Sequence, residues 1–339
     1  MADIEGTSGL HIHLTFANNS GANGGALYSL GSQRVNLYDA TFSANGATGN
    51  GGNPGNGGNG GAIGVDGDAR YVNLCRVRLV GNLANAFGGG LFTVTYSAAS
   101  FTRIEDSTLQ GNVSNATDKL AGGAYIQGSP LAISGSTFRD NSANGYAGLA
   151  LFGYGGVLEG SIVNSTFVGN VARGGLGGAM SIAAATALTL QNVTIARNAA
   201  PCDVCFAPGI ANDSGDALTF NNVIFEDNVG GNVYNPWAIL HPAAHGADVL
   251  QWPQSRGAGQ TETAAAPGTT FVAAGLADPA MNGGATETMA IPEDSPARDA
   301  GTSAGAPPAD QRGYPRVGAV DIGAFEWQGD PIFANGFDG

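Results

Sequence analysis

The sequence predicts an all-β protein: a right-handed parallel β-helix of about eight coils, with three short strands per coil and a C-terminal cap. Three observations support this prediction. A short phrase, Thr-Phe-x-x-Asn, recurs about every 29 residues, apolar and polar residues alternate around each copy, and glycine pairs follow the copies. A coil of this length cannot bury its own inward side chains, so the period indicates a solenoid whose coils bury one another.

The phrase is clearest in the copies that end at Asn45, Asn141 and Asn170. Looser copies complete a set of eight asparagines: Asn19, Asn45, Asn82, Asn112, Asn141, Asn170, Asn198 and Asn228. The one long interval contains the glycine-rich stretch 51–58, which predicts a surface loop. Identical side chains that align at strand spacing can bond to one another, so the asparagines predict a hydrogen-bonded amide ladder.

Two columns of inward residues precede the ladder asparagines. The column three positions before contains Phe16, Phe42, Leu79, Leu109, Phe138, Phe167, Ile195 and Phe225. The column eight positions before contains His11, Leu37, Leu74, Ile104, Ile133, Ile162, Leu190 and Phe220. Their period of two is typical of strands, and a slip of phase between them, as at Gln191-Asn192, predicts a corner.

A third strand is expected after each asparagine, and glycines introduce it. Examples are Gly24-Gly25-Ala26-Leu27, Gly60-Gly61-Ala62-Ile63 and Gly122-Gly123-Ala124-Tyr125. Glycine permits the positive φ of a tight turn. Leucine-rich repeats need a different leucine spacing and helical repeats need a period of 3.6, so neither alternative fits.

The charge balance excludes some partners. The formal net charge is −14 and Lys119 is the only lysine. A nucleic-acid-binding protein needs a basic surface for phosphates, so we expect no nucleic-acid partner. No apolar run approaches the ~18 residues that span a membrane, so we expect no membrane insertion. We also expect the protein to be monomeric and to bind a polysaccharide or another surface ligand.

The columns stop near residue 235, and all three tryptophans lie beyond that point. We therefore predict β-helix repeats over 1–234, a capping region over 235–327 and a short tail over 328–339. A cap is expected because an open solenoid end exposes core and unpaired backbone.

The capping region resembles a known family. Its stretches 282–290, 294–301, 310–316 and 320–326 resemble, in order, the choice-of-anchor C-terminal region, type Q, of bacterial surface β-helix proteins. Arg298 departs from the family pattern, in which an aliphatic residue is usual. The preceding repeats resemble polymorphic outer-membrane-protein repeats, and the tail at 330–339 resembles that of exported proteins of Gram-negative bacteria. The resemblance implies an extracellular or cell-surface protein, so we interpret Met1, which starts no recognisable signal peptide, as a trimmed N-terminus.

Catalytic candidates lie in the corner column, six positions before the ladder. Asp39, Arg76 and Asp106 fall on successive coils, where an Asp-Arg-Asp stack could bind or polarise an acidic sugar. Glycosidases need two carboxyls at a defined separation, and these two would lie about 10 Å apart. The alternative is a structural corner, since turns select Asn and Asp for their geometry.

Cysteines and acidic loops supply weaker candidates. Cys202 and Cys205 favour a local disulfide in an exported protein, with free thiols or a zinc set with His241 and His245 as alternatives. Asp203, Asp213 and Asp216 could hold calcium, although their spacing matches no EF-hand. No other cofactor is expected.

Two functions remain open from the sequence. The first is a non-enzymatic exported rod or adhesin. The second is a polysaccharide lyase or glycoside hydrolase on a pectin-lyase-like scaffold, acting on an acidic polysaccharide. Tyr28, Phe92 and Tyr125 could serve as sugar platforms or could pack into the structure. A cleft with converging acids would favour the enzyme, and a smooth face of Asn, Thr and Ser would favour the rod.

Overall fold

The structure, a computed structural model, describes residues 13–51, 56–97, 99–116, 120–128, 130–154, 158–183, 187–213 and 218–329. Within these residues the chain is all-β and forms a right-handed parallel β-helix with three parallel sheets, which confirms the predicted fold class. We number the coils 1 to 8 by their ladder asparagines, from Asn19 to Asn228. His11, Lys119, Asp216 and the tail at 330–339 lie outside the described residues.

The first sheet receives both strands that flank the predicted corner. The strands before the corner in coils 2–5 are β4 (Arg34–Tyr38), β8 (Tyr71–Cys75), β12 (Phe101–Glu105) and β16 (Leu131–Ser134). The strands after the corner in coils 1–5 are β1 (Leu14–Ala17), β5 (Ala40–Ser43), β9 (Arg78–Val80), β13 (Thr108–Gln110) and β17 (Thr137–Arg139). From coil 6 onwards, one longer strand spans the positions before and after the corner. These strands are β20 (Glu159–Val168), β23 (Ala187–Ala196), β26 (Leu218–Glu226) and β28 (His245–Trp252), and the short strand β31 (Thr269–Phe271) is the last of the sheet.

Two further sheets complete each coil. The second contains pairs of residues that follow each ladder asparagine: β2 (Ser20–Gly21), β6 (Gly46–Ala47), β10 (Leu83–Ala84), β14 (Val113–Ser114), β18 (Ser142–Ala143), β21 (Val171–Ala172), β24 (Ala199–Ala200) and β27 (Val229–Gly230). The third contains β3 (Leu27–Ser29), β7 (Ile63–Gly67), β11 (Leu91–Thr95), β15 (Ala124–Gln127), β19 (Leu149–Phe152), β22 (Met180–Ile182) and β25 (Ile210–Asn212). An antiparallel hairpin, β29 (Ser255–Gly257) and β30 (Gln260–Thr261), lies beyond coil 8.

The amide ladder predicted from the asparagine spacing is present. In coil 6, Asn170 Nδ2 donates to Asn198 Oδ1 at 2.9 Å, and Asn170 Oδ1 accepts from Asn141 Nδ2 at 2.9 Å. The same side chain also accepts from the backbone N–H of Asn141 and donates to the carbonyl of Phe138. Equivalent bonds connect Asn19 to Asn228 without interruption, so each amide satisfies backbone groups that the tight corner would otherwise leave buried and unpaired.

The inward columns form one continuous core. Phe42, Phe138 and Phe167 are fully buried, and the rings of Phe138 and Phe167 stack at a centroid distance of 4.7 Å. The corner between the two columns is made by a left-handed residue in each of coils 2–8, for example Asn192 with φ 53°. One residue in this conformation reverses the side-chain phase, which explains the slip in the sequence pattern.

The third-sheet strand of coil 4 begins one residue earlier than the glycine pattern suggests. Ala124, not Tyr125, pairs with Leu91 in the inward column, and the positive φ falls on Ala121. Tyr125 therefore points outward. A one-residue shift exchanges the two faces of a strand, and the Gly122-Gly123 pair alone did not show that the turn residue is Ala121.

The C-terminal region does more than close the end of the rod. Residues such as Ile239, Val249 and Ala265 complete the main core beyond coil 8. From about residue 272 the chain turns back along the outside of the first sheet and packs against coils 5–8. There Ile224 and Leu250 join Met289, Ile291 and neighbouring residues in a second hydrophobic core.

Candidate functional surfaces

The corner column contains one strong ion pair. Arg76 lies directly between Asp39 and Asp106 in the stack, and all three adopt left-handed φ values. The guanidinium donates to both carboxylate oxygens of Asp39, at 2.6 and 2.8 Å. This pairing raises the pKa of Arg76. Asp39 is therefore held by a bidentate ion pair.

Asp106 turns the other way, towards coil 5. A Cβ placed on Gly135 would lie 2.1 Å from Asp106 Oδ1, so the carboxyl occupies the space that this glycine leaves free. Burial, together with the negative charge of Glu105, raises the pKa of Asp106. The structure thus places the three candidates in one column, and it directs Asp106 away from the Asp39–Arg76 pair.

In coils 5–8 the same column holds the C-terminal region. Asn164 Nδ2 donates to the carbonyl of Ala309 at 2.8 Å. Asn222 exchanges two bonds with the backbone of Thr302, both 2.9 Å. The corner residue is asparagine in coils 6–8, where its amide bonds to the backbone of the C-terminal region. In coils 2–4 the corner residue is charged.

The residues that carry the family resemblance dock this region onto the rod. Gln311 accepts from Thr166 Oγ1 at 2.7 Å and donates to Thr137 Oγ1 at 2.9 Å, so one amide connects two coils. Glu287 forms an ion pair with Arg139 of coil 5. Glu226 of coil 8 accepts from the backbone N–H groups of residues 274–276.

A buried ion network stabilises the region internally. The side chains of Arg312 and Arg316 are each 6% exposed and pair with the fully buried Asp310 and Glu326. The Arg312 guanidinium also lies 3.7 Å from the centre of the Phe325 ring. Burial raises the pKa of Asp321 to about 6, although two backbone N–H groups bond to its carboxylate.

The aromatic residues of the third sheet pack on one another. Phe92, Tyr125 and Phe152 point outward on successive coils, with centroid distances of 5.4 and 5.0 Å and interplanar angles of 20° and 26°. Stacking along the rod axis covers the ring faces, which a sugar would need. Burial raises the pKa of Tyr125 to about 12. Tyr28 lies over Gly64 in the same column, so the geometry favours packing over a sugar platform.

A different surface exposes aromatic and charged side chains. We call the outward side of β4, β8 and β12 the tyrosine–arginine face. Its residues are Arg34, Asn36, Tyr38, Tyr71, Asn73, Cys75, Phe101, Arg103 and Glu105. Tyr38 is 51% exposed and Tyr71 is 38% exposed. Sequence reasoning overlooked this face, although the period-two alternation of Arg34-Val35-Asn36-Leu37-Tyr38 marks its outward positions.

The tyrosine–arginine face ends where coil 5 begins. Arg103 is followed in register by Ala132, Ser161, Thr189 and Thr219. On this side of the rod, coils 2–4 carry aromatic and arginine side chains, and the described outward positions of coils 5–8, which include Glu159, carry neither.

The remaining candidates are separated by the fold. Cys202 and Cys205 form a disulfide with a Cα–Cα distance of 5.0 Å, which leaves no thiolate for zinc. Asp203 lies in a turn seven residues before β25, Asp213 directly follows that strand, and Asp216 lies outside the described residues. The described part of the chain contains no group of three or more His, Cys, Asp or Glu side chains placed to hold a metal ion.

These observations define a parallel β-helix whose C-terminal region clamps coils 5–8 and leaves a charged, aromatic face on coils 2–4. Comparison with protein-family models, curated proteins and solved structures finds no match. Over the described residues, no helix is long and apolar enough to cross a membrane.

Proposed function

We propose that this protein is an exported or cell-surface β-helix that acts as a rigid adhesive rod and does not cut its ligand. The observation that carries the proposal is the restriction of the tyrosine–arginine face to coils 2–4. Aromatic and arginine side chains are enriched in binding surfaces. The described outward positions of the first sheet before the corner in coils 5–8 carry neither, so they offer a ligand fewer contacts of this kind.

The rigidity of the scaffold supports this role. The amide ladder connects all eight coils, and the C-terminal region adds a second core along the outside of coils 5–8. A ligand bound at coils 2–4 would thus be held on a surface that is fixed before binding. Binding to a preformed surface costs little ordering entropy.

Export is supported by the disulfide and by the resemblance to choice-of-anchor and polymorphic outer-membrane proteins. Disulfides persist in oxidising environments outside the cytosol. In such a protein the region that clamps coils 5–8 would precede the sorting or anchoring signal.

The alternative is an enzyme on the same scaffold. The raised pKa of Asp106 is the observation in its favour, because a general acid must hold its proton near the working pH. Against it, the only other carboxylate of the proposed stack is occupied by Arg76.

A screen with two measurements tests the proposal. Purified protein with calcium is incubated with polyuronates and with neutral polysaccharides, and new reducing ends and ultraviolet-absorbing unsaturated products are measured. Retention of the protein by the same polysaccharides and by bacterial or host cell surfaces is measured in parallel. We expect retention without product. Product formation that is lost in Asp39→Asn or Asp106→Asn would show an enzyme instead and locate its site.

A further inference from the structure

We propose that the tyrosine–arginine face binds a polysaccharide that carries carboxylates, lying along the rod axis across coils 2–4. The inference rests on the proposed function, binding without cleavage, and adds the class of ligand and the residues that hold it.

The two tyrosines supply apolar contact. Tyr38 and Tyr71 are among the most exposed large side chains of the first sheet, and each stands on a strand that the sheet holds rigid. A sugar ring has apolar C–H faces and polar edges, so an amphipathic ring next to polar groups matches it. The aromatic column of the third sheet differs here, because its ring faces are covered by one another.

Amides lie beside the tyrosines. Asn36 and Asn73 are neighbours in register at the centre of the face. Asn73 Nδ2 donates to the hydroxyl of Tyr38 at 2.8 Å and fixes the position of that ring. Side-chain amides offer both donors and acceptors, which sugar hydroxyls need.

The charge on the face favours a carboxylated sugar over a neutral one. Arg34 is exposed, and its guanidinium lies 5.1 Å from the centre of the Tyr71 ring. Among the described residues, no carboxylate lies within ion-pair distance of Arg34, whereas Arg103, the other arginine of the face, pairs with Glu105 at 2.8 Å. This available positive charge stands out in a chain of net charge −14. The Arg139–Glu287 pair shows that an outward arginine of the first sheet takes a carboxylate in coil 5.

The stacking of the coils explains why the ligand should be a polymer. Coils 2, 3 and 4 present equivalent outward positions about 4.8 Å apart along the rod. The outward columns run Arg34–Tyr71–Phe101 and Asn36–Asn73–Arg103 in register. A chain lying along the axis would meet one member of each column in every coil.

The test uses alginate oligosaccharides and the same oligosaccharides with their carboxyls reduced to alcohols. Affinity for the full-length protein is measured by titration calorimetry at low and high salt. Tyr71→Ala and Arg34→Gln are compared with Ser161→Ala, an outward position of the first sheet in coil 6. Circular dichroism melting curves verify that each variant is folded.

We expect alginate to bind more tightly than its reduced form, and the difference to shrink at high salt. Tyr71→Ala should weaken binding about tenfold. Arg34→Gln should remove much of the preference for the carboxylated form, and Ser161→Ala should change neither.

Equal binding by all variants would overturn the assignment to this face. Retention on cell surfaces without affinity for either oligosaccharide would overturn the ligand class and leave the adhesive rod intact. Binding that is accompanied by cleavage would overturn the proposed function and leave the ligand class intact.

Discussion

The amide ladder makes a quantitative prediction about stability. The substitution is Asn170→Ala, in the middle of the rod, and the matched control is Asn19→Ala, in coil 1. Asn170 is fully buried, whereas Asn19 is exposed. Both changes remove the same chemical group from the same column.

The expected cost follows from the bonds that each change removes. Without the Asn170 amide, the backbone N–H of Asn141 loses its acceptor at 3.1 Å and the carbonyl of Phe138 loses a donor at 2.9 Å. Both groups are buried, and an unsatisfied buried group costs about 1–3 kcal/mol, so we expect a loss of about 2–6 kcal/mol. The Asn19 side-chain amide donates to Asn45 Oδ1 at a solvent-exposed end, where water can replace it, so its loss should cost about 0.5–1.5 kcal/mol.

Denaturation in guanidinium chloride, followed by circular dichroism, measures both variants. The difference in midpoint at constant slope reports the change in stability. An Asn170→Ala variant no less stable than Asn19→Ala would refute the reasoning, because it would mean that the ladder bonds contribute nothing beyond what solvent supplies.

Three further predictions concern the core, the turns and the C-terminal region. Phe167→Ala should cost about 3–5 kcal/mol because the ring is fully buried, and an unchanged denaturation midpoint would refute its inward position. Gly61→Ala should destabilise by about 1–3 kcal/mol, since its Cβ would lie 2.1 Å from the carbonyl oxygen of Gly89, whereas Gly46→Ala, whose nearest neighbour is at 4.0 Å, should leave the melting temperature unchanged. The pKa of Asp321 is raised from 3.8 to about 6, so the folded state binds the extra proton and stability should fall as pH rises from about 4 to about 6. Asp321→Asn should flatten that part of the pH–stability curve, and a slope identical to the parent's would count against the buried carboxyl.

The repeat was predictable because its physical cause lies in adjacent residues. Alternating burial along each strand and the spacing of the asparagines are visible in one dimension, and so the columns through Phe42 and Phe167 could be assigned before the structure. The third-sheet strand at Tyr125 was misaligned because the local pattern allowed two registers that differ by one residue. Only stacking against Leu91 of the coil before decides between them.

The candidate site could be predicted only in part. Asp39, Arg76 and Asp106 were correctly expected to share a column, but whether Arg76 pairs with one carboxylate or both depends on side-chain packing, and Gly135 draws Asp106 away. The outward residues of the tyrosine–arginine face could have been identified from the alternation of polar and apolar residues along β4 and β8. Its importance emerges only when the coils are stacked and its abrupt end at coil 5 can be seen.

By itself, the sequence determined the coil, its period, the inward columns and the amide ladder, because each arises from local alternation and a repeated spacing. Tertiary structure alone decided where the last third of the chain goes. Gln311 and Asn164 lie 147 positions apart in the sequence, yet both take part in the contact that holds the C-terminal region against coils 5–8. Contacts of that kind depend on the three-dimensional match of two surfaces that no local period encodes, and they leave coils 2–4 as the open face of the rod.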